Sequence, residues 1–474
     1  MRTRSLLSFM VLFLSGAASG QTGTAFTLRQ CVETALKNNL QVQQAGMQVQ
    51  REEINWKQSQ LDRLPDLNAT VNHGINRGRS IDPFTNTYID QQLTTGAYGA
   101  SSGVVLFNGF SLQNAVKQNK LAFDASGMDW QQQKDNITIN VILAYLQVLS
   151  SEDALAQVRS QAALTKQQVD RLEILNREGA IAPSLLADLK GQYASDQLGI
   201  ISAENALETA KISLCQWMNI PYDRTMKTER MEESSLAVKY EDTPEKIYQT
   251  SLQQFALIKA ADLRVASAEK GVKVARGQLF PTLSFGVSAN SNYSSAATRE
   301  VLTGTTLVTS SDYVTVNGTS YNVISPSGTY TSSKIGYGSQ LKNTLFTSYG
   351  LSLRLPVFNA FRQRNKIKLA VLSLQNTRAV AATARTQLQQ QVEQAYSNMT
   401  SAAERYKTLL QQAEAYQESF RAAEVRFNNG VGTSTDYLIA KNNLDRTHIN
   451  IINARYDFML RTRVLDYYQG KPLW

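Results

Sequence analysis

Tyr98-Gly99-Ala100-Ser101-Ser102-Gly103-Val104-Val105-Leu106-Phe107-Asn108-Gly109-Phe110 returns 251 positions later as Tyr349-Gly350-Leu351-Ser352-Leu353-Arg354-Leu355-Pro356-Val357-Phe358-Asn359-Ala360-Phe361, with six identities in thirteen positions. The same shift carries Ala144-Tyr145 onto Ala395-Tyr396, Gly179 onto Gly430, Lys190 onto Lys441 and Pro221 onto Pro472. Upstream the shift is 216, where Leu64-Pro65-Asp66-Leu67 meets Phe280-Pro281-Thr282-Leu283 and Thr27 meets Thr243. The difference of 35 residues falls in one place, between the two strand-like segments of the second half. A register held over this length reads as two copies of one structural unit that differ by an insertion.

Outward from the repeated stretch lie helices. From Phe361 to Asn429 there is neither Gly nor Pro over 69 residues, a helix of roughly 100 Å at ~1.5 Å per residue. Val392, Tyr396, Met399, Ala403, Tyr406, Leu410, Ala413 and Phe420 follow one another in steps of four and three, with Gln417 the polar member of the seam. Such steps mean coiled-coil packing. The matching first-half helix, 110–178, is less regular, since Glu152, Arg159 and Lys166 fall on the equivalent seam and Gly127 interrupts it. Shorter helices are expected at 28–62 and 184–218, and again at 244–279 and 434–468. Two short helices match one long one in length, so the simplest packing stacks them end to end beside it. Gly179 and Gly430 each follow a long helix as a C-terminal cap, and Thr243-Pro244 opens the second copy as N-cap and first-turn proline.

Each half also holds two strands, expected at 66–76 and 97–107, then at 282–293 and 347–358. In the second half Leu283, Phe285, Val287 and Ala289 alternate with Thr282, Ser284, Gly286 and Ser288, while Tyr349, Leu351, Leu353, Leu355 and Val357 alternate with Ser348, Gly350, Ser352 and Arg354. Leu67, Ala69, Val71 and Ile75 do the same in the first half. A half-buried soluble sheet and a transmembrane barrel wall both alternate in this way. The export signal, the long helices and the Ser/Thr/Gly-rich stretch 294–344, expected as an external loop, select the barrel. Four strands cannot close one, since about eight is the minimum, and an open edge cannot sit in lipid. The protein must then be an oligomer sharing one barrel, with eight strands from two chains or twelve from three.

The 474-residue chain would suit about three average domains by length alone, but the repeat implies one architecture of two halves, 21–221 and 243–474, joined by a linker at 222–242. Residues 1–20 read as a signal peptide: Arg2 and Arg4, the apolar Leu6–Leu14, and Ala18-Ser19-Gly20 before Gln21. No other segment approaches the ~18 apolar residues of a membrane helix. Net charge is +9, falling to +7 without Arg2 and Arg4. Basic runs interleaved with aromatics are absent, so nucleic acid is not an expected partner. The two cysteines, Cys31 and Cys215, can form a disulfide in an oxidising compartment or remain buried thiols.

Catalytic material is sparse. His73 and His448 lack metal-site spacing, and no phosphate-binding loop is present. Gly99-Ala100-Ser101-Ser102-Gly103 fits G-x-S-x-G, but that elbow needs a strand–turn–helix setting, and this stretch lies within a strand candidate. The sequons at Asn68, Asn317 and Asn398 read as incidental. Neither an enzyme nor a cofactor is expected.

The doubled architecture, the Leu64-Pro65 and Phe280-Pro281 junctions, the strand ends Leu106-Phe107-Asn108-Gly109 and Val357-Phe358-Asn359-Ala360, and Thr433-Ser434-Thr435-Asp436-Tyr437-Leu438 together resemble the TolC family of outer-membrane efflux and secretion ducts. The resemblance covers nearly the whole mature chain. It implies a mainly α fold with a transmembrane β-barrel: a homotrimer in outer-membrane lipid, with a shared twelve-stranded barrel and a long periplasmic coiled-coil tunnel. It also implies a passive exit duct for efflux or type I secretion, working with a periplasmic adaptor and an inner-membrane pump of the RND or ABC type. On this resemblance Asp436 matches a constriction aspartate, whereas the family's second acidic position is Ile439 and the repeat partner of Asp436 is Leu185. Asp188, one turn beyond, is the other gate candidate. The tips Gly179-Ala180-Ile181-Ala182 and Gly430-Val431-Gly432-Thr433 resemble adaptor-docking sites. The competing reading is a periplasmic coiled-coil adaptor or structural protein without a pore.

Overall fold

The computed structural model describes residues 25–82, 86–230 and 242–471. The signal peptide, residues 231–241 of the linker and Pro472 lie outside them. The first repeat contains α1 (Leu28–Asn38), α2 (Leu40–Leu61), β1 (Asn68–Asn76), β2 (Arg79–Ile81), β3 (Tyr88–Asp90), β4 (Leu93–Phe107), α3 (Ser111–Arg177) and α4 (Pro183–Met218). The second contains α5 (Pro244–Gln254), α6 (Ala256–Gly277), β5 (Thr282–Ser294), β6 (Thr298–Val316), β7 (Thr319–Lys334), α7 (Tyr337–Asn343), β8 (Phe346–Arg354), α8 (Arg362–Asn428) and α9 (Ser434–Tyr468). Two compact units result: a helical one (residues 25–51, 123–264 and 378–471) and a strand-bearing one (residues 52–122 and 265–377).

The helical unit begins with a capping box. Thr27 Oγ1 accepts from Gln30 N–H at 3.1 Å, and Gln30 Oε1 accepts from Thr27 N–H at 3.0 Å. The single helices expected at 28–62 and 244–279 are each broken, at Asn39 (φ −66°, ψ 124°) and at its repeat partner Phe255 (φ −67°, ψ 123°). Different side chains hold the same break. Asn39 accepts from Gln41 N–H at 2.9 Å and donates to Trp217 O at 3.2 Å, whereas Phe255 packs on Tyr467 and Tyr468 with ring centroids 5.1 and 5.8 Å away. Neither Asn nor Phe is a helix breaker by propensity, so tertiary contact sets the break.

Two cores flank these breaks in repeat-equivalent places. Cys31, Val32 and Ala35 pack with Val141, Tyr145, Val148, Leu214 and Met218; Ile247 and Ile258 pack with Leu388, Val392, Met399 and Leu465. Both cysteines are buried free thiols. Burial, with Cys215 nearby, pushes the Cys31 thiol up to about 12.

On α8 the heptad seam is buried at Val392 and Met399 and half-buried at Tyr396, Ala403, Tyr406, Ala413 and Phe420, whereas Leu410 is exposed. On α3 the seam departs from the repeat alignment. Beyond Val141, Tyr145 and Val148 it runs through Ser151, Leu155, Val158, Ala162, Thr165, Val169 and Leu172, so Glu152, Arg159 and Lys166 each lie one residue off it. A switch from four-then-three steps to three-then-four keeps the charges out of the packed line. Gly199 admits Val158, whose Cγ1 would lie 3.3 Å from an added Cβ.

In the strand-bearing unit β1-β4-β5-β8 form one antiparallel sheet in that order. Its register aligns Gly103, Gly286 and Gly350 in one row and Ser101, Ser288 and Ser348 in another. The hydroxyls of Ser288 and Ser348 are 2.8 Å apart. Val104, Phe285 and Leu351 form a row on the opposite face. The segment 294–344 is not a loop: it folds into the β6–β7 hairpin followed by α7. Asn317 (φ 53°) and Gly318 (φ 79°) supply the two left-handed residues its tight turn needs.

Candidate functional site

Two regions of this architecture carry functional chemistry, and the sheet is the first. Its two faces differ because side chains alternate along a strand. One face bears Thr70, Ser101, Ser284, Ser288, Ser348 and Ser352; the other bears Val71, Val104, Phe285, Val287, Leu351 and Leu353. On the apolar face an aromatic cluster gathers: His73 stacks on Tyr293 at 6.3 Å, and Tyr337 lies 4.9 Å from Tyr293 and 6.3 Å from Tyr98. Apolar walls banded by aromatics are the exterior of membrane barrels. Strands β1 and β8 each pair on one side only within the chain, so the sheet does not close. Ser101, the serine of the G-x-S-x-G match, sits mid-strand opposite Asn68 and Ser288, without the turn and helix that a nucleophile elbow requires. Among the described residues no helix is long and apolar enough to cross a membrane.

The second region is the pair of helical tips. Gly179 (φ 72°) and Gly430 (φ 75°) close their helices in Schellman geometry. Ala180 N–H donates to Leu175 O at 2.9 Å, and Val431 N–H to Arg426 O at 3.0 Å. A Cβ on either glycine would meet nothing, so the backbone angle alone requires them. Gly432 is needed for closeness instead, since a Cβ there would stand 3.0 Å from Phe427 N. The second tip is capped by Thr433, whose Oγ1 accepts from Asp436 N–H at 3.1 Å. In the first tip Ala182 makes no side-chain cap and Pro183 opens α4.

Asp436 is exposed in the first turn of α9, where the helix dipole favours it. Asp188 is engaged: its carboxylate accepts from Ser434 Oγ at 2.7 Å, tying α4 to α9 two residues before Asp436. Of the candidate docking residues, Val431 is 81% exposed and Ala180 and Ala182 are exposed. Ile181 turns inward against the core of Val169, Leu172, Leu189, Phe427 and Tyr437.

One polar cluster beside the tips was not anticipated. Lys441 is 3% exposed, with Nζ 2.6 Å from Asp445 and 3.3 Å from Asp196. Asp196 also accepts from Thr165 Oγ1, and from Gln192 Nε2 at 2.6 Å. Burial pushes the Asp445 carboxyl up, and Lys441 offsets part of that. The Lys190–Lys441 match in the repeat was the only signal, but Lys190 stays half-exposed with Glu173 at 2.8 Å. The Lys441 partner Asp196 on α4, itself held by Thr165 on α3, lies far from Lys441 in sequence.

Known proteins share both the sequence pattern and the fold. Residues 31–219 and 247–465 match the family model for outer membrane efflux proteins, and the chain belongs to that family. Outer membrane protein TolC of Escherichia coli is 21% identical over 470 residues, covering 96% of this chain and 84% of that protein. Among solved structures, CusC superposes with a TM-score of 0.74 at 15% identity, over 94% of this chain and 92% of its own. VceC of Vibrio cholerae gives 0.74 at 14% identity, over 94% and 97%, and CmeC of Campylobacter jejuni 0.71 at 16%, over 94% and 85%. The chain is thus an outer-membrane channel protein, mainly α with a strand portion for the membrane and helices on the periplasmic side. Its family is one of channels, not enzymes, and the adaptor reading gives way.

Proposed function

We propose that the chain is the passive outer-membrane exit duct of a tripartite efflux or type I secretion system, acting as a homotrimer. The observation that carries this reading is the two-faced, unclosed sheet. Strands β1 and β8 run in opposite directions, so β8 of one copy can pair antiparallel with β1 of the next, and three copies give twelve strands. The serine-lined face then surrounds an aqueous lumen and the apolar face meets lipid.

In this reading the tips form the gate. Asp436 narrows the periplasmic end as a ring of three carboxylates, and Asp188 adds to the gate beside it while its carboxylate holds the start of α9 through Ser434. Gly179, Ala180, Ala182, Gly430, Val431, Gly432 and Thr433 offer the surface on which a periplasmic adaptor docks, with Ile181 as its inward anchor. The adaptor links the duct to an inner-membrane pump of the RND or ABC type, which supplies the energy.

Oligomeric mass and single-channel conductance in planar bilayers test the proposal. A trimer of small conductance that divalent cations block, with the block weakened by Asp436→Asn, is the expected result. A monomer without conductance overturns the duct, and unchanged ion selectivity and block in Asp436→Asn remove Asp436 from the gate. Cysteine at Val431 should crosslink to the adaptor; failure from every tip position removes the docking site.

A further inference from the structure

Four cations crowd the first seven residues of α8: Arg362, Arg364, Lys366 and Lys368, all exposed. A helix N-terminus favours anions, and cations there are disfavoured. Among the described ion pairs none involves these four. They belong to a longer imbalance, since between Asp312 and Glu393 there is no acidic residue at all, while nine Lys or Arg occur. Other cations of this unit have local roles. Arg276, for example, lies in the last turn of α6, where the dipole welcomes it.

The repeat supplies an internal control. The same helix start in the first half reads Ser111-Leu112-Gln113-Asn114-Ala115-Val116-Lys117, with a cation only at the partner of Lys368. The backbone is the same in both halves, with two successive left-handed residues at Gly109-Phe110 and at Ala360-Phe361. The aromatic pair before the helix is also the same, Phe107 with Phe110 at 5.5 Å and Phe358 with Phe361 at 5.8 Å, both edge-on. The turn and the helix therefore form without Arg362, Arg364 or Lys366, and those cations answer to something outside the fold.

What surrounds them is apolar and exposed. Val357 is 93% exposed, Phe358 76% and Phe361 58%. These residues follow the last membrane strand, β8, and precede a periplasmic helix, so they lie at the periplasmic surface of the outer membrane. Arg364 covers the Phe361 ring at 5.8 Å. Aliphatic and aromatic groups in the acyl boundary, with guanidinium and ammonium groups reaching past them, match an anionic phospholipid at both its ends.

We propose that the start of α8 binds anionic phospholipid head groups of the periplasmic leaflet along two stripes, Arg364 and Lys368 beside Phe361 and Arg362 and Lys366 on the opposite flank, with Val357 and Phe358 in the acyl boundary, an arrangement present in the second repeat only. The lipid phosphates supply the negative charge that this helix start lacks, and fix the depth at which β8 sits in the membrane.

The test compares the thermal unfolding midpoint of detergent-extracted protein with added phosphatidylglycerol, phosphatidylcholine or inorganic phosphate. Phosphatidylglycerol should raise the midpoint by several degrees, as a ligand of the folded state does. High salt should abolish the gain, and phosphatidylcholine and phosphate should not reproduce it. Arg362→Gln/Arg364→Gln/Lys366→Gln/Lys368→Gln should lose more than half of the gain, whereas Arg405→Gln/Lys407→Gln, which removes exposed cations further along α8, should keep it. Neutralising a helix start relieves the dipole, so the quadruple variant is expected to fold, with its channel conductance as the check. A gain retained by the quadruple variant, or matched by free phosphate or phosphatidylcholine, overturns the proposal and leaves the duct reading untouched.

Discussion

Tyr437 lies nearly flat on Phe427, with ring centroids 4.7 Å apart and planes 21° from parallel. The stack joins the first turn of α9 to the last turn of α8 across the second tip, and both rings are buried. Truncating a buried aromatic costs about 3–5 kcal/mol. Tyr437→Ala should therefore open this tip locally, with faster hydrogen exchange at residues 427–437 and little change near the Ile247 core. Phe427→Ala should cost a similar amount, and the double variant less than the sum.

Lys441 separates two kinds of substitution. Lys441→Ala strands Asp445 and Asp196 without their cation, a loss of roughly 3–5 kcal/mol for a broken buried pair. Replacing Lys441 and Asp445 together, by Met and Leu, leaves only Asp196 without its cation and should recover part of that loss in chemical denaturation. Asp196 keeps its hydrogen bonds from Thr165 and Gln192 in either case.

Asp445 also sets a pH dependence. Burial raises its folded-state pKa, so the folded chain binds this proton more tightly than the unfolded chain does. Stability from this group is therefore fully present at low pH and declines as pH rises through the ordinary Asp range, about 4, toward the raised folded value. Denaturant titrations across the mildly acidic range should show this downward slope, and Asp445→Asn should flatten it.

The tip glycines are predicted to fail for different reasons. Gly430→Ala meets no neighbour and should cost only the left-handed backbone, about 1–2 kcal/mol. Gly432→Ala drives a methyl toward Phe427 N and should displace the turn. In bilayers Gly432→Ala should alter the closed conductance and Gly430→Ala should not.

Cys31 should resist maleimide at neutral pH in the native protein, because its thiol is buried and pushed up to about 12. Labelling that begins only with denaturation is the expected result.

The fold class was legible because its signals are periodic. A run free of Gly and Pro from Phe361 to Asn429 becomes one helix, and two-residue alternation at Leu283–Ala289 becomes a strand with unlike faces. What escaped depends on distant partners. Asn39 and Phe255 break their helices through contacts with Trp217, Tyr467 and Tyr468, none of which is local. The α3 seam moves by one residue at Ser151, Val158 and Thr165, a change in which face is turned inward that the repeat alignment hid. The hairpin in 294–344 carried its own sign in Asn317-Gly318, masked by a Ser/Thr/Gly composition that reads as loop. At the tips, the bond from Ser434 to Asp188 joins residues 246 apart in the chain, which no local pattern signals.

The duplication also fixes how chemistry is distributed around the proposed ring. Each half brings two strands and one tip, so three chains present six equivalent stations by backbone alone. The side chains do not follow. Asp436 faces Leu185 as its counterpart, Thr433 faces Ala182, and Arg362-Gln363-Arg364 faces Ser111-Leu112-Gln113. Charged stations would alternate with neutral ones, at the gate and at the membrane surface alike. A partner reading backbone shape would meet six sites, and one reading charge only three.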